Sequence, residues 1–178
     1  MNLIVTCISG FEVDSLIEIE EALMDIDEKV DVKKTYFRGV LEIKTTIPSR
    51  KAAKILKNAR TTAISKIIPV DMVVKSEIGC IVESAVKLAK SGVDAEHKIV
   101  KEDTFAVRCK RRGMHSFTSK DIEKIIGERI VREVGAKVNL EHPKKIVKVE
   151  VIQDRSGISI LKSDELVIKN TEGILWKR

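Results

Sequence analysis

The sequence predicts an α+β protein built as two units. Residues 2–74 read in the order β-α-β-β-α-β, and from residue 78 a second set of helices and strands follows with its own apolar periodicity. The charge divides in the same sense. Residues 1–97 carry 14 Lys+Arg against 15 Asp+Glu, and residues 98–178 carry 19 against 12. A near-neutral first half and a basic second half point to a polyanion partner for the second. Ordinary surface charge would give a similar, modest excess. Apolar content of 43% in 178 residues allows real cores, and an aromatic content of 3% makes them aliphatic.

Asn2 to Ile8 reads as a strand, turned by Ser9-Gly10. Glu12 to Ile26 reads as a helix, with Val13, Leu16, Ile17, Leu23 and Met24 apolar and an acidic remainder that should face away from any polyanion. Val30 to Phe37 and Val40 to Thr46 read as strands around Arg38-Gly39, a hairpin signal. Pro48 opens a helix over Ser49 to Ala59. Ile64 to Val74 closes the unit as a strand interrupted at Pro69. This is the split order of a ferredoxin-like sandwich. Ile78-Gly79 marks the expected boundary, giving units 1–77 and 78–178.

The second unit opens with a helix, Cys80 to Lys90, ended by Ser91-Gly92. From Phe105 the chain alternates. Phe105, Val107 and Cys109 point one way, Ala106, Arg108 and Lys110 the other, as in a half-buried strand. The strand delivers Lys110, Arg111 and Arg112 to a turn with Gly113, His115, Ser116, Thr118 and Ser119. Ile122, Ile125, Ile126, Ile130, Val131 and Val134 then recur at helical spacing, with Thr118 and Asp121 approximating a capping box and Gly135 as the stop. A basic, glycine-hinged turn at a helix N-terminus can hold phosphate, because its N–H groups and dipole favour anions. The alternative is a solvated strand end that discourages sheet-to-sheet pairing. Val138 to Leu140 and Ile146 to Ile152 are strands, Asp154 to Gly157 a turn, and Gly157 to Leu161 and Glu165 to Lys169 the last strand candidates.

The chain contains no GxSxG, GxxxxGK[ST] or GxGxxG pattern. Cys7, Cys80 and Cys109 form no CxxC pair, and His97, His115 and His142 are widely spaced, so no metal or other cofactor is expected. No apolar run approaches a membrane span and no signal peptide is evident, so the expectation is a soluble, cytoplasmic protein.

Phe105 to His115, the helix through Ile126-Gly127-Glu128, and the run Val134-Gly135-Ala136-Lys137-Val138-Asn139-Leu140-Glu141-His142-Pro143 together resemble a THUMP domain. The likeness covers roughly residues 79–178, and the preceding ferredoxin-like unit resembles the domain that accompanies THUMP modules. With no downstream catalytic domain, the chain is similar to stand-alone THUMP proteins of the kind that assist tRNA cytidine acetylation. The resemblance implies binding of the tRNA acceptor stem and 3′ end, no catalysis by the chain itself, and a separate modifying enzyme, an acetyltransferase or another, as partner. On that reading Lys110, Arg111, Arg112 and Lys120 neutralise phosphates, and His115, Ser116 or Thr118 reaches a phosphate or ribose. Lys137 and Asn139 match the family segment, and Asn139 either reads a base edge or caps a turn. Arg155 either contacts backbone or is solvated, and Trp176 either stacks on a base or seals the core. Two alternatives stand beside this one. One is a small RNA-modifying enzyme with a site around His115, Cys109 and Asp121. The other is a scaffold that docks a basic protein on its acidic Glu12–Glu28 face.

Overall fold

The computed structural model describes residues 1–169. Trp176, and with it the choice between stacking and core, lies outside the described residues. The chain forms two compact units, Met1–Val70 with the segment from Leu166, and Asp71–Glu165.

In the first unit, β1 (Leu3–Cys7), α1 (Glu12–Met24), β2 (Asp31–Lys34), β3 (Val40–Lys44), α2 (Ser49–Asn58) and β4 (Ile64–Pro69) follow one another as expected. The antiparallel sheet orders them β4-β1-β3-β2. Its aliphatic core places Leu3, Val5, Leu41, Ile43 and Ile67 against Ile19 and Leu23 of α1 and Leu56 of α2. The predicted apolar face of α1 is only partly inward. Ser15, Ile19 and Leu23 are buried, whereas Val13, Ile17 and Met24 are 55%, 47% and 52% exposed.

The second unit contains β5 (Met72–Lys75), α3 (Ile78–Ser91), β6 (Thr104–Arg112), α4 (Ser119–Val134), β7 (Lys137–Val138), β8 (Lys145–Ile152) and β9 (Arg155–Lys162). Its sheet runs β5-β9-β8-β6-β7, with β6 parallel to both neighbours and the other pairs antiparallel. Ile81, Ala85 and Ala89 of α3 and Ile122, Ile126 and Ile130 of α4 pack on Phe105, Val107, Val149 and Ile158. Full burial of each of these Ile, Val and Phe side chains is worth roughly 1.5–3 kcal/mol.

Four expectations are corrected here. The single strand Ile64–Val74 is two: pairing along β1 runs through Pro69 to the Val70 N–H, which donates to the Asn2 carbonyl, and from Asp71 the chain pairs toward β9. β5 beyond it pairs with β9, so the boundary falls at Val70/Asp71 and not at residue 78. The last strand candidate is β10 (Val167–Ile168), which pairs with β4 and so belongs with the first unit. The turn between β8 and β9 is Gln153-Asp154, with Gln153 at φ 53°, and Arg155 already lies in β9.

Candidate nucleic-acid interface

β6 positions the basic run. Phe105, Val107 and Cys109 share the face toward the helices, as the alternation predicts. Ala106 on the opposite face is also fully buried. The strand is therefore buried on both faces at its start, as parallel strands with neighbours on each side are. Lys110, Arg111 and Arg112 lie within β6, in register with Glu150, Val151 and Ile152 of β8. Successive residues of a strand alternate, so Lys110 and Arg112 share one face and Arg111 takes the other. The three cations do not converge on the turn.

Their partners differ. Arg112 Nη1 is 2.5 Å from Glu150 Oε2, and Lys148 Nζ is 2.6 Å from Glu150 Oε1. Glu150 is 2% exposed and holds one cation at each oxygen. Arg111 Nη1 donates to the Gly113 carbonyl at 2.9 Å, and Arg108 donates to the Leu140 carbonyl. Lys110 is exposed.

The turn is braced against the β8–β9 hairpin. The Gln153 N–H donates to the Arg112 carbonyl at 3.1 Å, and His115 Nε2–H donates to the Gln153 carbonyl at 2.7 Å. The His115 ring lies 5.1 Å from that of Phe117, and its Nδ1 is buried without a partner among the described residues. Gly113 has φ 104°, and a Cβ there would stand 2.9 Å from Gln153 Oε1. His115 thus supports the turn through its Nε2–H.

The start of α4 is also occupied. Thr118 Oγ1 accepts from the Asp121 N–H at 3.2 Å, and Asp121 Oδ2 accepts from the Thr118 N–H at 2.7 Å. Donation from the Thr118 N–H, and then from the Thr118 hydroxyl at 2.8 Å, holds the Asp121 carboxyl below the usual carboxylate range. The capping box is as expected, and it takes up the Thr118 and Asp121 N–H groups, two of the donors at this helix start. Ser116 and Lys120 are exposed, as is Lys137 of β7. Asn139 Oδ1 accepts from the N–H groups of Glu141 and His142 at 3.1 and 2.9 Å, so the geometry favours its turn-capping reading.

What the structure does bring together is a row across the sheet. Lys75, Arg155, Ile152 and Arg112 are successive Cα partners across β5, β9, β8 and β6. One pair further along β6 lies Lys110 opposite Glu150, and beyond it Arg108 opposite Lys148. Partners opposite each other project from the same face. The face turned away from the helices therefore carries Lys75, Arg108, Lys110, Arg112, Lys148 and Arg155, with Glu150 as the acid in those rows. Lys75, Arg108 and Lys148 were not among the predicted contacts. Alternation in β6 and β8 hinted at Arg108 and Lys148, but only the register aligns them.

Residues 76–161 match the THUMP domain family. The chain contains a THUMP domain. An uncharacterised protein of Methanocaldococcus jannaschii is 32% identical over 142 residues, covering 76% of this chain and 38% of that protein. The tRNA sulfurtransferase of Pseudomonas aeruginosa is 47% identical over 53 residues, 29% of this chain and 11% of the enzyme. A crystal structure from Pyrococcus horikoshii superposes with a TM-score of 0.68 at 26% identity, covering 91% of this chain and 55% of that one. The chain thus spans well under two thirds of each of these relatives. The cationic row lies largely inside the THUMP segment, from β6 through β9.

Proposed function

We propose that this chain is a non-catalytic tRNA-binding protein that takes the acceptor stem and 3′ end and presents the tRNA to a separate modification enzyme, a tRNA cytidine acetyltransferase in the form we put forward. The observation that carries the reading is the cationic face of the THUMP sheet, where Lys75, Lys110 and Arg155 are exposed beside Arg112 and Lys148, which Glu150 holds. Cations fixed on a sheet meet a phosphate backbone without reading its sequence, which suits a stem. Likeness to tRNA sulfurtransferases supports tRNA as the polyanion. The sheet order β4-β1-β3-β2 supports a ferredoxin-like first unit.

The rival enzyme needs His115, Cys109 and Asp121 to act together, and each is engaged elsewhere. His115 holds the Gln153 carbonyl and Asp121 caps α4. Burial pushes the Cys109 thiol up to about 11, far from a nucleophile at neutral pH. A gel shift at low salt with tRNA, intact and stripped of its 3′ end, tests the proposal. Tighter binding of the intact tRNA is expected, and equal, negligible binding to both rejects it.

A further inference from the structure

Two exposed apolar surfaces lie outside the cationic sheet face, and they complement each other. On α1, Val13, Ile17 and Met24 fall within about 40° of one another on the helical wheel at 100° per residue. Glu20 flanks this stripe on one side and Asp14 and Glu21 on the other, and α1 contains no Lys or Arg. None of these three carboxylates takes part in an ion pair among the described residues. The stripe runs about 16 Å from Val13 to Met24 at 1.5 Å per residue.

The second surface is a groove of about 630 Å³ along α4, lined from Lys120 to Arg132. The residues span about 18 Å of helix. Its apolar lining includes Val131, Val138 and Leu140, which are 44%, 50% and 61% exposed. Gly127 sits in the middle, where a Cβ would meet nothing within 4 Å, so a second helix can approach the backbone closely. The acids of the rim are engaged locally. Glu123 accepts from the Cys109 N–H at 2.7 Å, and Glu128 lies 4.0 Å from Lys124. Lys120 and Arg132 mark the two ends with positive charge.

We propose that the α1 stripe of one copy of this chain seats in the α4 groove of a second copy. The helix-in-groove mode buries the apolar ridge and sets carboxylates against cations. Length, polarity and charge sign match between the two surfaces. The contact is heterologous, with different patches on the two partners, so each pair retains an unused stripe and an unused groove.

The test is the mass of the full chain by sedimentation or light scattering, from micromolar to submillimolar concentration at low and high salt. The expected result is a mass that rises above 19.9 kDa with concentration. Ile17→Lys and Gly127→Gln should each weaken association at least about tenfold, the size of one interface hot spot. Both sites are open and Gly127→Gln favours the helix, so loss of association through unfolding is excluded by unchanged circular dichroism and a melting point that is not lowered. An equimolar mixture of the two variants should form a 1:1 dimer, because one intact stripe still meets one intact groove. A chain that stays monomeric throughout overturns the proposal. So does association that ignores both substitutions, or a mixture that fails to pair. Retained tRNA binding by both variants separates this contact from the RNA reading.

Discussion

Gly113 sits where β6 meets the turn, and its backbone conformation is one that a side chain resists. Gly113→Ala should cost about 1–3 kcal/mol by urea unfolding. Adding Gln153→Ala should return only the part due to the contact at Gln153 Oε1, since the φ penalty remains. Asp27 gives a second, pH-dependent prediction. It is 5% exposed and accepts from the Thr45 hydroxyl at 2.6 Å and the Thr46 N–H at 2.7 Å. The Thr45 hydrogen bond first, then that of Thr46, takes its carboxyl from the ordinary 3.8 to about 2. A depressed folded-state value stabilises above the unfolded one and is lost as pH falls through the folded one. Unfolding midpoints should therefore drop between about pH 4 and pH 2, and Asp27→Asn should flatten that drop. Such roles were partly legible. The Gly113 turn could be read from its position after a strand. The partners of His97, by contrast, are Asp94 at 2.7 Å and Glu165 at 2.9 Å, and the second is remote in sequence.

At the scale of elements, periodicity found the helices and the strands but not their every boundary. α4 was readable because its isoleucines, capping box and terminal Gly135 agree on one helix. Thr118→Ala should lower stability by about 1 kcal/mol, measured by chemical denaturation. Gly127→Ala should raise it by about 0.5–1 kcal/mol, since the added methyl meets nothing and helix propensity improves. The joined reading of β4 and β5 failed because an apolar run looks the same whether it feeds one sheet or two. The break lies at Val70/Asp71, and the new sheet is specified by pairing with β9, far along the chain. The exposure of Val13, Ile17 and Met24, apolar positions of one helix, was hidden for a related reason. Spacing shows that residues share a face, but not what lies against it.

Across the whole molecule, charge sign was legible from composition, and its placement was not. The basic excess of residues 98–178 does reach one sheet face, yet through three strands, and Lys75 joins it from outside that range. Consecutive cations in sequence were separated by the pleat, and distant ones were aligned by register. That distinction predicts unequal effects within the run. Lys110 is exposed, so Lys110→Gln should leave stability unchanged while weakening tRNA binding and lowering its log–log salt slope by roughly 0.7–0.9, one phosphate's worth. Arg112 is different, because its guanidinium is held by a buried carboxylate. Arg112→Gln leaves Glu150 with Lys148 alone and should destabilise the fold by roughly 1–3 kcal/mol. Adding Glu150→Gln in that background should recover little of this loss, because Lys148 then loses its carboxylate. Unfolding and salt-titrated binding, measured on the same three variants, separate a cation that meets RNA from one that holds the sheet. Equal salt slopes for Lys110→Gln and the parent chain would remove Lys110 from the interface.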